Sequence, residues 1–233
     1  MTIDTTPINA QVAGKDIRVL FLHGSGTSGE SRKADALRDI YDTEAPTLPF
    51  PEGSLASFVA WGCDRPSREE ARRTAQSLVD SFRPHVICGS SIGGALAATL
   101  VSDAALVLVA PAFGTITRYR TPNVLPARTI ILHSRNDILV PQGKSRRLLA
   151  AHPGRTAAEK ADIERIGTGL VALGYDQSCP RLISIGRDHR CNHPDDGDTW
   201  NENPDPYAAL VASVRLLASL ATSEPELIPA EHP

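Results

Sequence analysis

The chain has 233 residues, with 24 Lys and Arg against 27 Asp and Glu, which gives a formal net charge of −3. This length is typical of one large domain, which would bury about 70–75% of the surface of its unfolded chain. The basic residues are scattered along the chain, so the composition argues against nucleic acid and anionic lipid as partners. A small neutral or acyl substrate fits this charge better.

Residues 1–15 contain an acid and lack an apolar signal core, and no apolar run approaches the roughly 18 residues of a membrane span. We therefore expect a cytoplasmic protein that does not enter a membrane. The four cysteines are too few for a disulfide scaffold and include no C-x-x-C pair. A zinc site would have to use Cys179, Cys191 and His193 without close paired ligands, so we expect no metal.

Short runs of β-branched residues and leucine recur along the chain, each followed by a turn and a stretch of helical period. The five runs are IRVLFL (17–22), HVIC (85–88), AALVLVA (104–110), TIILH (129–133) and LISI (182–185). Continuous apolar strands are typical of a parallel sheet that is covered on both faces. The sequence therefore predicts an α/β fold with a doubly wound, mostly parallel sheet and helices on both faces.

Helix start signals lie between these runs. Ser67 with Glu70 and Thr156 with Glu159 have the spacing of a capping box. The second pair would begin an inserted helix at about 157–173, in a segment that is longer than a minimal fold of this kind needs. This insert is either a surface helix, which we favour, or a partial lid.

A last helix is predicted near 205–220, because apolar residues there step by three and four. We expect a single domain over 17–221. Residues 1–16 are expected to be poorly ordered, and the Pro- and Glu-rich residues 222–233 are expected to form a flexible tail, because neither segment has much to bury.

The sequence GSSIG at 89–93 lies between the second predicted strand and an apolar helical run, which is G-x-S-x-G in a strand-turn-helix context. Such a sharp turn strains the serine backbone and requires very small residues two positions before and two positions after it. Glycines meet this requirement for Ser91, whereas a turn centred on Ser90 would place Cys88 and Ile92 there. We therefore predict that Ser91 is a nucleophile.

The glycine-rich loop HGSGTSG at 23–29 follows the first predicted strand. Glycines let the backbone approach a substrate oxygen, and each N–H donor to an oxyanion is typically worth on the order of 10²–10³ in rate. We predict the N–H groups of Ile92 and Ser25 as the two oxyanion donors, with Gly26 as an alternative to Ser25. Gly24 and Gly26 are expected to contact the substrate.

A serine hydroxyl is a poor nucleophile at neutral pH and needs a general base. Among the seven histidines, His189 lies in GRDHR, after the last predicted strand and before the last helix, where a loop can bring its imidazole to the serine. His193 is the alternative. His85 and His133 lie within predicted strands, and we interpret them as structural histidines.

The base needs an acid that fixes its tautomer and stabilises the imidazolium. Asp137 follows the strand TIILH, at the carboxyl end of the sheet, where catalytic groups gather in open α/β folds. Asp188 adjoins His189 in the chain and would point elsewhere, and Asp103 fits a solvated cap. We therefore predict that Asp137 orients His189 as the base for Ser91.

The order Ser91, Asp137, His189, behind a glycine-rich loop, resembles the α/β-hydrolase superfamily over roughly 17–220. Within it, the segments LHGSGTSGESRKADAL, GSSIGGALA, LVAPA and GRDHR are similar to small bacterial serine esterases of the YqiA type, with no large cap domain. The resemblance implies hydrolysis of a small carboxylester or thioester through an acyl-enzyme, without a cofactor. Trp61 and Phe113 are candidate walls of the substrate pocket, with core packing an equal alternative.

Two other functions stay open from the sequence. The same triad supports an acyltransferase if an alcohol or amine captures the acyl-enzyme in place of water. The same fold also supports a binding protein without turnover. The sequence leaves the oligomeric state and the acyl chain open.

Overall fold

The computed structural model describes residues 14–51, 55–114, 117–122, 124–175, 179–185 and 205–222. Its six strands are β1 Arg18–Leu22, β2 Asp42–Glu44, β3 Val86–Ser90, β4 Ala105–Val109, β5 Thr129–His133 and β6 Leu182–Ser184. Its seven α-helices are α1 Arg32–Arg38, α2 Leu55–Cys63, α3 Arg65–Phe82, α4 Ile92–Ala97, α5 Gln142–Ala150, α6 Ala157–Ala172 and α7 Pro206–Thr222. None of the helices in these ranges combines the length and the apolar character that crossing a membrane requires.

The strands form one parallel sheet in the order β2-β1-β3-β4-β5-β6. The predicted fold class and all five predicted strands are confirmed. The sequence missed β2, because its residues Asp42, Thr43 and Glu44 are polar and form an edge strand that is exposed or half-buried.

Both faces of the sheet are covered, which explains the continuous apolar strands. On one face Val19 and Phe21 of β1 belong to a core cluster with residues of α1, α6 and α7. On the other face Leu20 and Leu22 of the same strand pack with residues of α3, α4 and α5. Each fully buried side chain of this size contributes about 1.5–3 kcal/mol relative to exposure, so alternate residues of one strand stabilise two separate layers.

One of the two predicted capping boxes is present. Thr156 Oγ1 accepts from Glu159 N at 3.1 Å, and a Glu159 carboxylate oxygen accepts from Thr156 N at 2.9 Å, at the start of α6. The predicted box at Ser67 is wrong, because the N-cap residue of α3 is Asp64, three residues earlier. Pro66 has the fixed φ of a helix start and lies in the first turn, and the Ser67 hydroxyl donates to the Asp64 carboxylate at 2.5 Å.

The winding of the sheet reverses between β1 and β3. The chain passes from β1 outward to β2 and then returns to β3 on the other side of β1. In open α/β sheets such a reversal opens a crevice beyond the carboxyl ends of the two strands. The loop that begins at His23 follows β1, and Ser91 follows β3, so the fold brings both predicted site segments to this crevice.

Candidate active site

Ser91 lies in the turn between β3 and α4, with φ 51° and ψ −113°. Positive φ is costly for a residue with a Cβ, so the surroundings must hold it in place. Ser91 N donates to Val109 O at 2.8 Å, and Ser91 O accepts from Ala95 N at 3.0 Å and from Ala112 N at 2.9 Å. The end of β4 and the first turn of α4 therefore fix the serine in the strained conformation that the sequence predicts.

The glycines on either side of Ser91 are required by close backbone contacts. A Cβ on Gly89 would lie 2.5 Å from Gly93 O, and a Cβ on Gly93 would overlap the carbonyl oxygens of Leu22 and His23. Backbone atoms cannot move aside as the end of a flexible side chain can. Glycine at both positions therefore lets β1, β3 and α4 approach one another this closely.

Replacing Gly93 with alanine should therefore lower the free energy of unfolding by about 3 kcal/mol or more, because the added methyl group overlaps two carbonyl oxygens of β1 and the loop after it. Urea denaturation followed by circular dichroism measures this loss. Gly143→Ala is the matched control, since a Cβ there meets nothing within 4 Å and the residue lies in α5. A Gly93→Ala protein as stable as the Gly143→Ala protein would contradict the close approach.

The glycine-rich loop after β1 lies directly against the serine turn. A Cβ on Gly24 would lie 3.4 Å from Ser91 Cβ and 3.4 Å from Ser90 O. Gly26, further along the loop, is exposed and has φ 64°. The structure thus brings the predicted oxyanion loop to the predicted nucleophile, at the residue that precedes Ser25.

His23 and Thr27 fix the peptide between Gly24 and Ser25. His23 Nε2 accepts from Leu48 N at 2.8 Å, so the ring proton is on Nδ1, which donates to Gly24 O at 2.6 Å. The Thr27 hydroxyl donates to the same oxygen at 3.0 Å. Burial lowers the pKa of His23, which keeps its imidazole neutral. Because C=O and N–H point in opposite directions across a trans peptide, these bonds also set the direction of the Ser25 N–H.

Ile92, the other predicted donor, is the first residue of α4 and follows Ser91 directly. The first N–H groups of an α-helix have no acceptor within the helix. The Ile92 side chain is buried, so the residue is held in place by packing on the α3, α4 and α5 face of the sheet.

Asp137 lies beyond the carboxyl end of β5 and is 4% exposed. Its Oδ1 accepts from Leu139 N at 2.9 Å and from Val140 N at 2.8 Å. Its Oδ2 lies 3.0 Å from Nε2 of His133. Three N–H groups therefore compensate for the burial of this carboxylate. Asp103 is exposed and precedes β4, at the opposite end of the sheet from Ser91.

His133 contacts the predicted acid, a contact that the sequence analysis did not anticipate. It ends β5 and is fully buried, as a structural histidine in a strand would be, but its imidazole also contacts Val140 O at 2.7 Å and the Ser145 hydroxyl at 2.8 Å. The available signal was its position at the strand end, four residues before the predicted acid.

The predicted base His189, its alternative His193 and the neighbouring Asp188 lie outside the described residues, and their roles stay predictions. Cys191, which we considered as a metal ligand, lies in the same undescribed range. The described part of the site therefore comprises the turn of the predicted nucleophile, the predicted oxyanion loop and the predicted acid.

Trp61 and Phe113 are both 8% exposed and belong to the core cluster on the face of α3 to α5. The Trp61 ring centroid lies 5.6 Å from that of Phe50 and 6.1 Å from that of Tyr119, and Phe50 in turn meets the ring of His23 edge to face. Phe113 follows Ala112, whose N–H donates to Ser91 O. This packing places aromatic rings against His23, the first residue of the predicted oxyanion loop, and contact of Trp61 and Phe113 with a substrate stays a prediction.

A sequence model of the alpha/beta hydrolase family matches residues 19–231. The chain therefore belongs to the alpha/beta hydrolase family, and this membership supports hydrolase activity on a small-molecule substrate. No curated protein sequence matches the chain.

Solved structures show the same fold at low sequence identity. A Xanthomonas campestris pv. campestris protein assigned to the hydrolases of the alpha/beta superfamily is 16% identical, with a TM-score of 0.51 over 90% of this chain and 99% of that one. A protein from Agrobacterium vitis S4 assigned as a hydrolase is 15% identical, with a TM-score of 0.50 over 88% and 90% of the two chains. Est1E from Butyrivibrio proteoclasticus with bound ferulic acid is 12% identical, with a TM-score of 0.50 over 94% and 92%.

Proposed function

We propose that this protein is a serine hydrolase that cleaves a small carboxylester or thioester through an acyl-enzyme intermediate. The observation that carries the proposal is the position of Ser91, which has φ 51° at the carboxyl end of β3 and lies against Gly24 of the glycine-rich loop. Strained residues of this kind persist where the surroundings hold them, and they cluster at active sites. Asp137, at the same edge of the sheet, supports the assignment of the acid.

In the proposed mechanism, His189 takes the proton of the Ser91 hydroxyl while the serine oxygen attacks the carbonyl carbon of the ester. The negative oxygen of the tetrahedral intermediate accepts hydrogen bonds from the N–H groups of Ile92 and Ser25. His189 then donates its proton to the leaving alcohol or thiol, and Asp137 stabilises the imidazolium in between. His189 then activates a water molecule, which attacks the acyl-serine. This step releases the carboxylic acid product and restores the Ser91 hydroxyl.

The oxyanion loop supports this mechanism because its key peptide is fixed before a substrate binds. His23 and Thr27 both donate to Gly24 O, which sets the direction of the Ser25 N–H on the other side of that peptide. A donor that is already oriented requires no reorganisation when charge develops on the substrate oxygen, and such donors stabilise the transition state most.

Labelling with a fluorophosphonate tests the proposal directly. The wild-type protein should form one covalent adduct, which peptide mass spectrometry should locate on Ser91. Ser91→Ala should abolish the adduct, and Ser90→Ala is the matched control that should retain it. A wild-type protein that unfolds cooperatively but forms no adduct would contradict the proposal and favour a binding protein.

Product analysis in the presence of an added alcohol separates hydrolysis from acyl transfer.

A further inference from the structure

We propose that His133 is a positioning residue that holds the Asp137 carboxylate in the orientation required for contact with the catalytic histidine. The inference rests on the proposed function of Asp137 as the acid of the site. It assigns a role to a fully buried histidine whose contacts join the ends of β5 and α5 to that acid.

The proton position on His133 follows from its partners. Val140 O is a carbonyl oxygen and can only accept, and it lies 2.7 Å from His133 Nε2. Nε2 therefore carries a proton, which it shares between Val140 O and Asp137 Oδ2 at 3.0 Å. The other ring nitrogen, Nδ1, lies 2.8 Å from the Ser145 hydroxyl oxygen. Both ring nitrogens are bound, so the ring orientation is fixed.

The two oxygens of Asp137 are held by different parts of the structure. The local turn holds Oδ1, through the N–H groups of Leu139 and Val140. His133 contacts Oδ2, and it comes from β5. A carboxylate oxygen can accept two hydrogen bonds, so Oδ2 can bind His133 and a second donor together. The His133 bond thus fixes the plane of the carboxylate and the direction in which its second acceptor site points.

Ser145, His133 and Asp137 have the connectivity of a catalytic triad, but they cannot act as one. Ser145 is 2% exposed and His133 is fully buried, so an ester cannot reach the Ser145 hydroxyl. The surrounding contacts are those of a rigid support, because Gln142 Nε2 donates to His133 O at 2.8 Å and to the Ser184 hydroxyl at 3.1 Å. These bonds tie β5, β6 and α5 together beneath the acid.

Two substitutions separate positioning from packing. His133→Leu removes the Nε2 donor, and it should lower kcat by about 10–100-fold, the loss typical when a residue that hydrogen-bonds to a metal ligand is replaced, with KM changed little. His133→Gln places an amide N–H near the position of Nε2, and it should restore kcat to within about threefold of the wild type. His85→Leu is the matched control, because His85 accepts one hydrogen bond, from Arg18 N, next to the amino end of β3, and its loss should leave kcat unchanged.

A double-mutant cycle gives the decisive measurement. If His133 acts through Asp137, then adding His133→Leu to Asp137→Asn should lower kcat by less than about twofold further, because coupled residues are not additive. Thermal unfolding of each variant gives the folded fraction at the assay temperature, and rates are expressed per folded molecule. Equal losses in the wild-type and Asp137→Asn backgrounds would overturn the inference, as would a His133→Gln protein no more active than His133→Leu.

Failure of the inference and failure of the proposed function give different results. If fluorophosphonate does not label Ser91 in the folded wild type, the proposed function fails and the role of His133 fails with it. If the wild type is labelled and His133→Leu is labelled at the same rate, only the inference is wrong.

Discussion

Replacing Ser91 with alanine should lower the turnover of an ester substrate by about 10⁶-fold, the cost expected for removing the nucleophile of a serine, histidine and acid unit. The backbone should be unaffected, because the hydrogen bonds that hold the turn are made by the Ser91 N–H and C=O, which alanine retains. Alanine has the same Cβ as serine and meets the same neighbours there. A loss of this size with an unchanged melting temperature therefore reports on the hydroxyl alone.

The measurement is kcat on a panel of chromogenic esters from acetyl to decanoyl, with Ser90→Ala as the control. Ser90 ends β3, one residue before the turn, and its replacement should keep kcat within about tenfold because the strained conformation belongs to Ser91. If Ser91→Ala retained more than about one hundredth of the wild-type turnover, the nucleophile would be elsewhere. The reverse result, with Ser90→Ala inactive and Ser91→Ala active, would mean that Ser90 is the nucleophile.

The parts of the fold that the sequence predicted are those that local patterns determine. Continuous apolar runs identified five strands, because a strand buried on both faces consists mostly of apolar residues. The edge strand β2 was missed for the opposite reason, since its polar residues resemble a loop and only the pairing of Asp42, Thr43 and Glu44 with β1 makes it a strand. The start of α3 was predicted at the wrong residue because neighbouring residues carry competing helix start signals. Ser67 has the spacing of a capping box, whereas Pro66 is typical of the first turn, and the structure places both residues inside the helix.

The candidate site also has parts that local sequence patterns predict and parts that depend on contacts in the folded chain. The serine turn could be predicted because the two glycines that it requires, Gly89 and Gly93, lie two residues from Ser91 in the sequence, although the carbonyl oxygens that exclude a Cβ at Gly93 belong to β1 and the loop after it. Asp137 could be placed because parallel strands deliver the residues after them to one edge of the sheet. The role of His133 could not, because it depends on Ser145, from the next helix, and on the carbonyl of Val140. No sequence pattern shows which way a buried imidazole points.

Replacing Asp137 with asparagine should lower kcat/KM by about 10³–10⁴-fold, less than the loss for Ser91→Ala. The carboxylate accepts from two backbone amides on Oδ1 and from His133 on Oδ2, and all three are N–H donors. An asparagine side chain has a carbonyl oxygen, which accepts, and an NH₂ group, which donates. In either orientation of the amide, the NH₂ group therefore faces an N–H group with which it cannot form a hydrogen bond. If the amide oxygen keeps the backbone donors, the NH₂ faces both His133 and the catalytic histidine, and it imposes the wrong tautomer on the latter.

The same mismatch should lower the free energy of unfolding by about 1–3 kcal/mol, so a control must separate stability from chemistry. Asp162→Asn is that control, because Asp162 is also a buried carboxylate but lies on α6, where it pairs with Arg128 at 3.0 Å and with Arg165 at 2.7 Å. Its replacement should lower stability and leave the rate per folded molecule unchanged. Stopped-flow single-turnover rates at a temperature where both variants are folded make the comparison. Asp137→Asn turnover above about one tenth of the wild-type value would mean that another acid orients the base. A rate loss of similar size in both variants would assign the effect to destabilisation.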